Sequence, residues 1–227
     1  MSDIGLRDRA GQPSRTVQID VVSDAVCPWC YIGKRHLEAA LAELPDVAAT
    51  THWRPYQLDP TIPPGGLDRR AYMARKFGED RLPDIHARLT EAGRAAGLDL
   101  AFERIARSPN TLDAHRLIRW AWSAGKQDAV VESLFRAFFV DGEDIGDREI
   151  LADRAAAAGM DRGIVLRLFA DGADVEAVNA EIEKSRSLGV TGVPFFILDG
   201  RIGVSGAQPP AVLARAIMKA LEPPDEA

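Results

Sequence analysis

The chain is poor in the residues from which unusual chemistry is most often built. Its 227 residues include two cysteines and four histidines. Two cysteines cannot make the multi-bridge scaffold of small secreted domains, and a chain of this length, burying roughly 70% of its extended surface, has no need of one. A structural zinc site takes four ligands. No second cysteine pair exists, and His36, His52, His86 and His115 show no paired spacing, so no metal site is expected. Positive charge is also scarce: 28 basic against 34 acidic residues leave a net charge of −6. That balance argues against a nucleic-acid partner, because phosphate binding draws on clustered Lys and Arg. No apolar run approaches the ~20 residues of a bilayer span, so no membrane partner is expected. The polar lead from Met1 to Arg15 lacks the apolar segment of a secretion signal. The expectation is a cytoplasmic chain, in surroundings that keep thiols reduced.

What is present has the composition of a globular protein, 46% hydrophobic and 27% charged. After a lead expected to be loose, Val17 to Val22 reads as a strand, short, β-branched and bounded by Ser23-Asp24. A helix begins at Pro28, where the missing proline N–H costs nothing. It runs through Leu37, Leu41 and Leu44 and stops at Pro45. Val47 to Leu58 reads as a second strand with Val47, Ala49, Thr51 and Trp53 on one face, and Pro55 places its far end at a sheet edge or outside the sheet.

The breaker run from Asp59 to Gly66 marks a boundary. From Leu67 to Gly172 there are helical stripes and no strand signal. Ile85, Leu89, Ala92 and Ala96 form one stripe; Ala114, Leu117, Ile118 and Ala121 form another. Val131, Phe135 and Phe139 make a wide buried face with their neighbours, and Ile164, Val165, Leu168 and Phe169 make a short fourth. Sheet then returns. A helix with Val175, Val178 and Ile182 closes at Gly189, and Asp199-Gly200 joins the strands Phe195–Leu198 and Ile202–Ser205 in a hairpin. A last helix carries Val212, Leu213, Ala216, Ile217 and Leu221, and the tail from Pro223 is expected to be loose. The order is β-α-β, helical block, α-β-β-α. This α/β pattern is expected to form one domain from residues 16–62 and 174–222, interrupted by an all-helical insertion at 63–173.

Cys27 and Cys30 can bind metal, form a structural disulfide, sit as ordinary buried thiols, or act as a redox pair. Their place, where a strand ends and a helix starts, favours the last. Unpaired N–H groups and the positive end of the helix dipole favour a thiolate at the helix start. With Cys27 as the N-cap, the Cys30 N–H is expected to reach the Cys27 sulfur. Cys27 would attack; Cys30, one turn deeper, would stay protonated and shielded until it resolves a mixed disulfide.

Cys27-Pro28-Trp29-Cys30-Tyr31-Ile32-Gly33-Lys34 after a strand, with Thr191-Gly192-Val193-Pro194-Phe195-Phe196 before the hairpin, resembles the DsbA-type thioredoxin superfamily. The chain is most similar to its FrnE-like branch, which is related to 2-hydroxychromene-2-carboxylate isomerases and kappa-class glutathione transferases. Trp53 to Pro60, Asn110-Thr111, Ala114 to Leu117 and Ser205-Gly206-Ala207-Gln208 extend the likeness over most of the chain. The resemblance implies a thioredoxin-like fold and a cis Pro194 across from the dithiol. The Val193 backbone would pair with an extended substrate. Pro28 and Trp29 would form an apolar rim, His115 would turn toward the thiols, and Asn110 and Thr111 would line the groove. A satisfied histidine and simple helix capping explain those last three residues as well. Ser205, Gly206 and Gln208 precede the final helix, where free amides could hold a carboxylate such as that of glutathione; a plain cap and turn is the other reading.

Two departures matter. The buried acid that many thioredoxin-like enzymes place six residues before the first cysteine is here Val21, and strand alternation leaves open whether Asp20 or Asp24 substitutes for it. Trp29 stands before Cys30 where a histidine would add charge, which implies a milder oxidant. The function implied is a thiol–disulfide oxidoreductase, a reductase or isomerase, acting on disulfide-bearing proteins or small molecules. It has no bound cofactor, uses glutathione as redox co-substrate, and allows a homodimer. The alternatives are a glutathione-dependent isomerase, whose known members carry serine where Cys27 stands, and a non-catalytic peptide-binding module.

Overall fold

The computed structural model describes residues 15–223. The lead before Arg15 and all of the tail beyond Pro223, both expected to be loose, lie outside the described residues. Strand β1 (Arg15–Ser23) has the burial of a central strand, with Val17, Ile19 and Val21 buried on one face and Val22 on the other. It pairs in parallel with β2 (Val47–Pro55), Val21 opposite Trp53 and Ser23 opposite Pro55. On its other side it runs antiparallel to β5 (Phe195–Leu198), which turns into β6 (Ile202–Ser205). The sheet order is β2-β1-β5-β6. A parallel pair needs a crossover connection, and α1 (Pro28–Ala42) supplies it. β2 ends at Pro55, three residues earlier than the sequence pattern suggests, in the edge position that a proline tolerates. The β5–β6 turn places Asp199 at φ +49° and Gly200 at φ +65°. Asp199 is tied back to β1: its N–H donates to Gln18 O (2.8 Å), and its Oδ1 accepts from Gln18 N (2.7 Å).

Both sheet faces are covered. Val17, Ile19, Val21, Phe196 and Leu198 share a core with residues of α1 and of α9 (Pro210–Ala220), which pack on one another. On the opposite face Val22 meets Tyr56 and Val190. Val190 follows α8 (Val175–Ser187), whose end is a Schellman cap. Gly189, at φ +84°, donates to Arg186 O (2.9 Å), and Val190 donates to Ser185 O (3.3 Å).

Between β2 and α8 lie α2 (Arg69–Phe77), α3 (Leu82–Ala95), α4 (Leu112–Ser123), α5 (Gln127–Arg136), α6 (Arg148–Ala157) and α7 (Arg162–Ala170). A π-helical turn at Ala137–Asp141 extends α5. The stripes seen in the sequence are α3, α4, α5 and α7. Two helices escaped it: α2 buries only Tyr72 and Met73, too few for a periodic stripe, and α6 buries one leucine among alanines. The expectation of a strand-free block is corrected by a short antiparallel ladder, β3 (Leu67–Asp68) against β4 (Arg107–Ser108). Two residues per strand are below the length at which alternation can be read.

The block is fused to the sheet. Phe135 of α5 stacks on Tyr31 of α1 (5.0 Å between ring centres) and meets Trp53 of β2 edge-on (6.2 Å). Inside it, Arg116 is wholly buried. Its guanidinium donates to Ala173 O (2.6 Å), Leu168 O (2.8 Å) and Asp113 Oδ1 (2.6 Å), and lies over the rings of Trp120 and Phe169. This clamp holds the segment joining α7 to α8. Among the described residues, no helix is long and apolar enough to cross a membrane.

Candidate active site

β1 stops at Ser23, and a three-residue turn delivers Cys27 to the N-cap of α1 with extended backbone (φ −94°, ψ 111°) and Pro28 at the first helical position. The Cys27 N–H donates to Asp24 O (3.0 Å), closing the turn. The expected bond from the Cys30 N–H to the Cys27 sulfur does not form. That amide donates to the Cys27 carbonyl instead (3.0 Å), which also takes the Tyr31 N–H (3.4 Å). The first turn is wound tightly, and the carbonyl of the capping residue takes both donors. The Cys27 S–H donates to Val193 O (3.5 Å).

Both thiols are free, and the two cysteines approach to 3.3 Å. Cys30 is fully buried. Burial pushes its thiol well above the usual range, and the adjacent Cys27 adds to the rise; the Ser23 hydroxyl and the Asp24 amide, which hydrogen-bond to it, work the other way. The Val193–Pro194 bond is cis. Pro194 lies so close to α1 that a Cβ on Gly33 would come within 2.9 Å of its Cγ, so the glycine permits the loop to rest on the helix beside the dithiol.

Cys27, Pro28 and Val193 form one end of a groove of about 330 Å³ that runs toward α2 and α3. Trp29, Leu58 and Phe77, three exposed large apolar side chains, stand along it. Exposed apolar surface concentrated at one concavity is a mark of a binding site. The outer wall contains Ile62, Tyr72 and Met73, which form a hydrophobic cluster of their own, with Leu67 and Leu82 against it, separate from the main core.

The dithiol at a helix N-terminus, the cis-proline loop against it and the helical block all lie within the span that the family comparison covers. The model of the DSBA-like thioredoxin domain matches residues 18–218. The chain belongs to that family. A probable DsbA oxidoreductase from Streptomyces coelicolor is 31% identical, with a TM-score of 0.81 and 93% of each chain covered. The uncharacterized protein YwbO of Bacillus subtilis is 26% identical over 211 residues, 89% of this chain and 96% of that one. The fold is also that of the cytosolic disulfide reductase DsbM from Pseudomonas aeruginosa, solved with GSH, at 19% identity and TM-score 0.63, covering 90% of this chain and 98% of that one. A family of oxidoreductases and isomerases gives this DSBA-like domain a general redox role.

Within the domain the two candidate acids separate clearly. Asp20 accepts from Arg54 Nε (2.7 Å) and is partly exposed. Asp24 is 1% exposed and lies at the Cys27 end of the groove. Its Oδ2 accepts the Leu58 N–H (2.8 Å), while its buried Oδ1 has no hydrogen-bond partner. His115 Nε2 stands 3.4 Å from that oxygen. The same Nε2 lies 2.8 Å from Tyr56 O, an acceptor, so it carries the proton. His115 is thus buried behind Asp24 and does not line the groove.

Thr111 lines the groove; Asn110 braces it instead, donating to Ile62 O (2.6 Å) and accepting from Gln57 Nε2 (3.1 Å) and Leu112 N (2.9 Å). The amides sought at Ser205, Gly206 and Gln208 are not free for a carboxylate. Gly206 N donates to Pro194 O (2.8 Å) and Gln208 N to Gly206 O (2.8 Å). Pro209 and Pro210, at the start of α9, have no N–H to offer. The turn braces the Pro194 loop, and His36 Nδ1 meets Gln208 O (2.9 Å) to bind it to α1. Sequence reasoning missed Arg69, Tyr72 and His86, all of which line the groove. One signal was available: Asp68 caps α2, its Oδ1 accepting the Ala71 N–H (2.8 Å).

Proposed function

We propose that the protein is a thiol–disulfide oxidoreductase of the FrnE-like branch in which Cys27 attacks and Cys30 resolves. The observation that carries this reading is the asymmetry of the pair: both thiols are buried, but Cys27 lines the groove while Cys30, within 3.3 Å of it, does not. The Cys27 thiolate attacks one sulfur of a substrate disulfide, forming a mixed disulfide and releasing the other sulfur as a thiolate, which takes up a proton. Cys30 then loses its proton and attacks the Cys27 sulfur, freeing the second substrate thiol and leaving the Cys27–Cys30 disulfide. Two electrons pass from protein to substrate. Asp24, buried at this end of the groove with one oxygen unpartnered, serves as proton acceptor for the dithiol. Pro28, Trp29, Thr111 and the Val193 backbone hold the substrate chain. Glutathione resets the pair as a co-substrate, a use consistent with the DsbM structure solved with GSH. In a reducing cytoplasm the net reaction is reduction or isomerisation.

The test is insulin reduction with glutathione as reductant. Wild type turns over, Cys27→Ser does not, and Cys30→Ser accumulates a mixed disulfide visible by mass. Turnover retained by Cys27→Ser overturns the proposal, as does insulin binding without any thiol release.

A further inference from the structure

We propose that the α2 side of the groove onto which Cys27 opens is an anion-recognition subsite centred on Arg69, and that the substrate is a small organic disulfide with an apolar body and a carboxylate. The proposal rests on the dithiol reading above and adds the substrate's chemistry to it. Arg69 begins α2 directly after the β3–β4 ladder, its N–H donating to Ala106 O (3.0 Å). Ser108 faces Leu67 in that ladder, two residues from Ala106, so strand alternation puts Arg69 and Ser108 on one side of it. The Arg69 guanidinium lies over the Phe138 ring (5.6 Å). Among the described residues it makes no ion pair and no side-chain hydrogen bond. Arg69 is half-buried, and a partly desolvated charge without a carboxylate partner carries an uncompensated cost.

Two neighbours share the deficiency. Ser108 is 2% exposed and its hydroxyl has no partner; the buried Nε2 of His86, whose ring stacks on Phe102, has none either. All three residues line the groove. Neither carboxylate of the groove's lining pairs with Arg69: Asp59 accepts from Thr61 N (3.0 Å) and Tyr72 Oη (3.0 Å), and Asp24 accepts from Leu58 N. An arginine fork matches a carboxylate in geometry as well as charge. A volume of about 330 Å³ suits a small molecule, with Trp29 and Phe77 offering aromatic faces to its apolar body.

The experiment uses single-turnover reaction of the reduced, full-length protein, which itself supplies the two electrons. Dithiobis(nitrobenzoate), an aryl disulfide with a carboxylate on each ring, is compared with uncharged dithiodipyridine. Arg69→Gln is expected to lower the rate ratio between the two about tenfold, the size of one charge-assisted contact. Arg70→Gln removes the same charge from an exposed side chain paired with Glu79, and should leave the ratio alone. In the wild type, benzoate should slow the dithiodipyridine reaction and benzamide should not; this readout needs no folded variant. A ratio unmoved by Arg69→Gln, a ratio moved equally by Arg70→Gln, or equal effects of benzoate and benzamide overturns the subsite. Dithiodipyridine reacting equally well with Cys27→Ser would instead overturn the dithiol reading.

Discussion

Gly33→Ala sets two known effects against each other at the point where α1 meets the Pro194 loop. Replacing a helical glycine by alanine ordinarily stabilises by about 1 kcal/mol. Here the new methyl would lie 2.9 Å from Pro194 Cγ, 3.3 Å from Phe196 Cζ and 3.5 Å from Pro194 Cβ. A proline ring and a fully buried phenylalanine have little freedom to yield, and forcing a methyl into such a site costs typically 1–3 kcal/mol. The net expectation is a loss of about 1 kcal/mol, or roughly 2–4 °C in Tm for a chain of this size. Gly163→Ala in α7 is the control. That residue is exposed, and its nearest obstacle is a carboxylate oxygen of Asp161 at 3.3 Å, so the helix-propensity gain should survive. Urea unfolding of the two variants measures the difference. Insulin reduction should fall for Gly33→Ala alone, because Val193, which contacts the Cys27 sulfur, precedes the displaced proline. If Gly33→Ala gains stability as Gly163→Ala does, the close approach carries no energetic weight and the argument fails.

Two further predictions concern the buried groups. Burial raises the Cys30 thiol, while the unfolded thiol ionises near ~8.5. The unfolded chain therefore releases a proton that the folded one keeps, so the stability of the reduced protein is level below about pH 8 and falls above it. The reduced Cys30→Ser variant should lack this component, and parallel urea-midpoint curves against pH for the two proteins would refute the assignment. Arg116→Met leaves the carbonyls of Leu168 and Ala173 unpaired in the interior and should cost about 3–5 kcal/mol. A single ammonium cannot reproduce the fork, so Arg116→Lys should not rescue it; a loss below about 1 kcal/mol in urea unfolding counts against the clamp.

The features legible from sequence were those whose cause is local. Val17 to Val22, the hairpin at Asp199-Gly200, the Gly189 cap and the start of α1 at Pro28 each follow from a few adjacent residues, and the structure has all of them. The dithiol was legible for the same reason. Arg69 was not: its position depends on a two-residue ladder closed across some forty residues of chain, which no periodicity records. The choice between Asp20 and Asp24 also needed coordinates, because β1 ends at Ser23 and the alternation that orients Asp20 says nothing about the turn after it. Sequence left the Ser205–Gln208 turn open between free amides and a plain cap, because the acceptor of the Gly206 N–H, Pro194 O, lies on the neighbouring strand connection.

The separate packing of Ile62, Tyr72 and Met73 gives the outer wall of the groove a foundation of its own. Cys27 and Cys30 belong to a segment anchored in the principal core, whereas the outer wall rests on a small cluster with its own contacts. Elements outside the main packing open at lower free energy than those inside it. Substitutions along α2 should therefore loosen that wall while the dithiol keeps its shape.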